Sequence, residues 1–190
     1  MNKRIMATKS RGVAALELAL ILPLLCMMIF AVVDIGWLVE SRLVVTNVSR
    51  EGANLASHDL KSGADLLTYL ASSSSPIDLV GSGKIYVTTI TAGTTAQAPD
   101  PVIASQISTG NLSAASGITT GAQDLGLNGA IYNHLVYNPT NKVADILGVT
   151  VVEVYYHYTP MTPLASFIPG LPGTGTIIAS KAVFCISGGM

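Results

Sequence analysis

Arg11-Gly12-Val13-Ala14-Ala15-Leu16-Glu17 leads into a run from Leu18 to Val33 that contains no charged residue. From Val13 to Val33 the only charge is Glu17. As a helix, these 21 residues reach about 31 Å at the standard rise of roughly 1.5 Å per residue. A hydrocarbon core is about 30 Å thick, so the segment is long enough to cross it once. A carboxylate one turn inside such a helix is costly, and intramembrane acids mark functional positions. The reading of this stretch sets the fold: a membrane-length helix first, then a domain outside.

Charge supports that order. Lys3, Arg4, Lys9 and Arg11 precede Glu17, and no acid does. The positive-inside tendency then keeps the N-terminus cytoplasmic and sends the remainder outward. Loss of residues 1–12 would leave six basic and eleven acidic side chains, a formal −5. No Lys or Arg occurs between Ile85 and Asn141. Nucleic-acid binding, which depends on basic side chains against phosphate, is therefore not expected. The chain of 190 residues has a mean hydropathy of +0.53 and only 11% charged residues, enough for one modest external domain beside the membrane segment.

Other targeting schemes fit less well. A secretory signal needs a small-residue cleavage site after its apolar core, and Ala31-Val32-Val33-Asp34-Ile35-Gly36 offers no such pair. A lipoprotein site at Cys26 would be preceded by Pro23-Leu24-Leu25, with leucine too bulky beside the cysteine. A plain single-pass anchor accounts for the apolar run and basic flank, but not for a glycine followed five residues later by Glu17. Cys26 and Cys185 fall on opposite sides of a membrane boundary. They read as small apolar groups rather than a disulfide pair.

Beyond the apolar run, Trp37, Val44, Val48 and Leu55 recur at intervals of three, four or seven, with Leu38, Val45 and Leu60 beside them. That spacing predicts one helix from about Val13 to His58, with Pro23 bending it or opening its hydrogen-bond ladder. A second short helix is expected over Ala64–Ala71, broken by Ser72-Ser73-Ser74-Ser75-Pro76. Lys84–Thr91, Val149–Tyr158 and Thr176–Ile186 read as strands. Ala92–Gln123 is rich in Ala, Ser, Thr and Gly and reads as loops with at most a short strand or turn. Ala130–Tyr137 fits a strand or a helix equally. The expected fold class is α+β: a long N-terminal helix, half transmembrane and half extracytoplasmic, followed by a small domain with an antiparallel sheet. The organisation is a basic leader over 1–12, the long helix over 13–60, and an external domain over 61–190 with a flexible section at about 92–128.

At four places the residues resemble the TadE-like proteins, minor pilins of the tight-adherence (Flp-type) branch of type IV pili. The first is Arg11-Gly12-Val13-Ala14-Ala15-Leu16-Glu17 with Leu20-Ile21-Leu22-Pro23-Leu24-Leu25. The second is Asp34-Ile35-Gly36, closing the apolar run. The third is Ser49-Arg50-Glu51-Gly52-Ala53. The fourth is Tyr156-His157-Tyr158-Thr159-Pro160-Met161-Thr162-Pro163-Leu164. Leu18 stands where these proteins often carry Phe, Asp34 where Glu is common, and Val13 where ordinary type IV pilins begin with Phe. The likeness covers about residues 11–57 and 149–185.

The resemblance implies a processing site at Gly12 and Val13, cut by a membrane prepilin peptidase. Glu17 then receives the new Val13 amine of a neighbouring subunit during assembly. It also implies a pilus assembly platform in the inner membrane as a partner. Other major and minor pilins would engage the N-terminal helix, and the lipid bilayer would hold it before assembly. Arg50 and Glu51 are read either as helix-surface charges or as inter-subunit contacts, and Asp34 as a charge at the outer membrane edge. No catalytic set is seen, and no metal or other cofactor is expected: His58, His134 and His157 lack ligand spacing, and Gly81-Ser82-Gly83-Lys84 lacks the P-loop pattern. Two alternatives stand beside a filament subunit. One is an anchored accessory protein of the same secretion machinery, and the other a single-pass envelope binding module.

Overall fold

The computed structural model describes residues 3–58, 63–163 and 175–186, with side chains from Gly12 onward. Helix α1 runs over Lys3–Ser57 and contains Pro23 without ending there. It is followed by α2 (Gly63–Ser72), a one-turn α3 (Leu79–Ser82), β1 (Gly83–Thr91), β2 (Val102–Thr109), α4 (Gly129–Leu135), β3 (Gly148–Tyr158) and β4 (Thr176–Cys185). The strands form one sheet in the order β2-β1-β3-β4, with every neighbouring pair antiparallel. The fold is therefore the expected α+β arrangement of a long helix and a small antiparallel sheet domain. Leu60, which the sequence reading assigned to the long helix, and Leu164, the last residue of the fourth motif, lie outside the described residues.

The chain divides into two compact units. One comprises residues 1–40 and 159–175, the other residues 41–158 and 176–190. In the second unit β3 is central, and its β-branched sequence is buried on both sides over most of its length. Registration sets Val152 opposite Val87 and Val154 opposite Ile85 on one face of the sheet. Against this face lies the second-unit part of α1, through Ser41, Val45, Val48, Ser49, Gly52, Ala53 and Ser57, all buried. Their spacing of three and four residues is one helical stripe.

The pattern that predicts the helix, Trp37, Val44, Val48 and Leu55 with Leu38, Val45 and Leu60 beside them, does not by itself single out this stripe. Val48 belongs to it, but Val44 and Leu55 are only half-buried. The reason is distance. A β-carbon built on Gly52 would lie 2.6 Å from Leu70 Cδ1 and 3.3 Å from Val152 Cγ1, so this approach excludes larger side chains. Ser49 Oγ lies 2.8 Å from Ser180 Oγ on β4. The motif Ser49-Arg50-Glu51-Gly52-Ala53 thus has a direct physical meaning: its small members are the contact surface, and its charged members point away.

The opposite face is covered by the connection from β2 to β3. Ile118, Leu127 and Leu135 insert beside Ile90, Val149 and Val151 to form a core cluster. Hydrogen bonds from the sheet also hold this connection. Tyr86 Oη donates to the Ala114 carbonyl at 2.7 Å, Lys84 Nζ to the Gly110 carbonyl at 3.0 Å and Lys181 Nζ to the Gly126 carbonyl at 2.8 Å. Gln106 Nε2 donates to Thr88 Oγ1 and to the Ile118 carbonyl, each at 3.0 Å. Glu153, only 3% exposed, accepts from Ser116 Oγ, from the Gly117 N–H at 3.1 Å and from Tyr155 Oη at 3.2 Å. Among the described residues no buried side-chain polar atom lacks a partner, as a buried polar network requires.

Two local assignments sharpen the sequence reading. The eight-residue β2 lies within the Ala/Ser/Thr/Gly-rich section, and of Ala130–Tyr137 the part up to Leu135 is helix, capped by Asn128 Oδ1 accepting from the Ala130 N–H. The sharp turn before α4 places Asp124 and Leu125 in the left-handed region, followed by Gly126 at φ 80°. A β-carbon on Gly126 would fall 2.0 Å from the Gly117 carbonyl oxygen, so only glycine fits.

Gly52→Val is expected to lower the unfolding free energy of the detergent-solubilised chain by about 1–3 kcal/mol through overpacking, measured by chemical denaturation. Gly36→Ala, where an added β-carbon meets nothing within 4 Å, should leave stability unchanged or raise it. Partial burial and the neighbouring Glu153 carboxylate raise the Tyr155 phenol above its ordinary 10.0. A raised folded-state value contributes stability that is complete below pH about 10 and is lost as pH rises through the folded value. The stability difference between wild type and Tyr155→Phe should therefore narrow above pH about 10 in alkaline unfolding curves.

Candidate functional site

The first unit carries Gly12, Val13, Glu17 and Asp34 among the residues that the sequence singles out. Between Val13 and Ile35, fifteen large apolar side chains are exposed. At 100° per residue they occupy every side of α1, not a stripe, so no single docking face could cover them. A helix apolar all round belongs in lipid or inside a bundle of helices, and an apolar surface this extensive marks an interaction site. Leu20 is 72% exposed. Burying a Leu side chain is worth about 1.5–3 kcal/mol, so the segment gains strongly from any apolar surroundings. Gly12–Ser57 is long and apolar enough to cross a membrane, which is consistent with a single-pass anchor.

Gly12 and Val13 both lie within α1 and are exposed, and a β-carbon on Gly12 would meet nothing within 4 Å. Glu17 is also exposed. It is four residues beyond Val13 and so lies on the same side of the helix. Among the described residues Glu17 has no hydrogen-bond or ionic partner.

Arg50 and Glu51 belong to the second unit. Both are exposed, but their situations differ. Glu51 Oε1 accepts from Tyr69 Oη of α2 at 2.6 Å, and this bond, followed by the carboxylate's charge, raises the Tyr69 phenol above its ordinary value. Arg50 has no such partner among the described residues. Val13 and Glu17 therefore share one helical side within the first unit, while Arg50 and Glu51 are described with the second.

One arrangement went unseen in the sequence. Asp34 Oδ1 accepts from the backbone N–H groups of Met161 and Thr162, each at 3.0 Å. Its Oδ2 accepts from Thr162 Oγ1 at 2.5 Å. A carboxylate taking three donors is charge-assisted and geometrically demanding. The two motifs Asp34-Ile35-Gly36 and Thr159-Pro160-Met161-Thr162-Pro163, more than 120 residues apart, are two halves of one contact. The available signal was their joint presence; nothing in the local pattern of either half gives the partner. The histidines form no comparable set: His134 Nδ1 lies 2.8 Å from Asp145 Oδ2 at the surface of the second unit. Among the described residues no three His, Cys, Asp or Glu side chains are grouped to hold a metal.

Asp34→Ala should raise the hydrogen-exchange rates of the Met161 and Thr162 amides by roughly tenfold to a hundredfold, since hydrogen bonds to a charged group contribute about 1.5–3 kcal/mol. Exchange measured by mass spectrometry with residue resolution checks this.

No curated protein and no solved structure matches the chain. Residues 12–54, which include Gly12, Val13, Glu17, Asp34, Arg50 and Glu51, match the family model of TadE-like proteins.

Proposed function

We propose that this protein is a structural, non-enzymatic minor pilin of a tight-adherence pilus. In this reading it is inserted with its N-terminus in the cytoplasm, cut after Gly12 by a prepilin peptidase, and assembled through α1 with other pilins at an inner-membrane platform. It then supports pilus biogenesis and surface adherence. The observation that carries the reading is Glu17: an acid without a partner among the described residues, on a helix that is apolar on every side, within the segment that matches the family.

The chemistry follows from two positions. Residues around Gly12 are helical, so the scissile bond must unwind to enter a protease. Glycine is the residue at which this is easiest, because it disfavours the helix by about 1 kcal/mol relative to alanine. Cleavage there creates the Val13 amine. Glu17 lies one turn on and can accept the amine of an adjacent subunit. Charges about 4 Å apart at an effective dielectric of about 20 attract by roughly 4 kcal/mol. Desolvation of both groups offsets much of that gain. The pair therefore acts chiefly on register, because a misaligned subunit leaves one charge buried and unpaired.

Mass spectrometry of the protein from cells with active peptidase is expected to find Val13 as the N-terminus. A chain still beginning at or near Met1 would overturn the reading. Glu17→Ala should be cleaved at the wild-type rate yet be strongly depleted from sheared filaments. Normal incorporation of that variant would rule out the pairing role. A cleaved wild-type chain that stays wholly with membranes would instead identify an anchored accessory protein.

A further inference from the structure

The contact made by Asp34 has a polarity opposite to that of a surface turn in water. Thr162, the polar residue, is half-buried against the carboxylate, while Met161 and Pro163 on either side are exposed. Met161 is 64% exposed. The backbone is equally unusual in its demand for water. In Pro160-Met161-Thr162-Pro163 the two prolines have no N–H, and the two remaining N–H groups both donate to Asp34. No backbone donor in this tetrapeptide needs a water partner. That meets the donor half of the condition for entering a low-dielectric region, where every backbone N–H and C=O needs a partner.

Position completes the case. Asp34 is the first charged residue after the uncharged run Leu18–Val33. A hydrogen bond of 3.0 Å to its carboxylate fixes the Met161 and Thr162 backbone at that level of α1. Trp37, an aromatic of the kind enriched at membrane interfaces, follows on the next turn. No Asp, Glu, Lys or Arg occurs between Glu153 and Lys181, so nothing charged near Pro160–Pro163 in the sequence opposes contact with lipid.

We propose that Pro160–Pro163 is a second membrane contact. Held by Asp34, it seats Met161 and Pro163 in the boundary between headgroups and acyl chains at the outer end of the membrane span. Asp34 serves as the receptor that makes this possible, since its carboxylate consumes every backbone donor of the tetrapeptide. The inference rests on the single-pass membrane reading of α1 and is tested so that the two can fail separately.

The experiment is electron paramagnetic resonance with a nitroxide attached through Met161→Cys, in the full chain carrying Cys26→Ser and Cys185→Ser. The protein is reconstituted in phosphatidylcholine and phosphatidylglycerol vesicles at low protein-to-lipid ratio. Accessibility to oxygen, which concentrates in lipid, is compared with accessibility to a water-soluble nickel chelate. Nitroxides through Leu25→Cys and Ser105→Cys give the lipid and aqueous references. The expected result is loss of nickel accessibility at position 161 relative to position 105, with oxygen accessibility approaching that at position 25. Adding Asp34→Ala should restore nickel accessibility at position 161. Lipid-like behaviour at 25 with aqueous behaviour at 161 would overturn the inference and leave the membrane reading standing. Aqueous behaviour at 25 would overturn the membrane reading itself. Shielding of 161 from both reagents would mean a protein neighbour covers it, and this too would overturn the proposal. Unchanged lipid-like behaviour at 161 in the Asp34→Ala protein would remove Asp34 from the role of receptor.

Discussion

A helix with large apolar side chains on every side has no face to offer water, and most of what is distinctive in this chain follows from that constraint. The first part of α1 cannot be covered by a small domain, because a domain can pack only one side of it. Lipid or a ring of other helices can cover all sides. Any carboxylate on such a helix needs donors close at hand. Asp34 finds three of them within the chain, whereas Glu17 has none among the described residues. The remainder of α1 obeys the ordinary rule for a helix lying on a sheet, with a single buried stripe.

How much of this was legible depended on the range of the interactions. Helix α1 and strands β1, β3 and β4 announce themselves through long apolar runs or β-branched alternation. The TadE-like resemblance at Gly12 and Glu17 was readable because those positions lie within one helical turn or so of each other. The small members of the packing stripe were not legible because pattern reading weights large residues. The closest approach here needs small ones, with Gly52 set against Leu70 and Val152. Strand β2 was obscure because it is a largely exposed edge strand whose Gln106 binds the covering segment. Helix α4 spans only seven residues, too few for a period to show. The partner of Asp34 was out of reach because it is a pair of backbone N–H groups, which every sequence has everywhere.

The cover over the second face of the sheet is kept in place by apolar and polar contacts together. Ile118, Leu127 and Leu135 are its buried apolar members, with Leu125, Ile131, Tyr132 and Ile146 packed beside them, and its carbonyls are met by side chains rising from the strands, from Lys84, Tyr86, Gln106 and Lys181. Glu153 works in the other direction, supplying acceptors to Ser116 and Gly117. An acid in the middle of an otherwise apolar strand is thus explained by the donors of the segment above it. Ala, Ser, Thr and Gly in that segment are small enough to let the strand side chains reach the backbone.

Glu17 and Asp34 are 17 residues apart, about 25 Å along the axis of α1 at the standard helical rise. They bracket the apolar span like the two marks of a gauge, one mark already engaged and the other open. On the proposed reading this gives each subunit a direction. Its outer mark is saturated by its own chain and recruits nothing, whereas its inner mark is satisfied only by a neighbour. Growth then has a built-in sense, because each addition is checked at the same end of the helix, and a subunit offered upside down would meet no open valence.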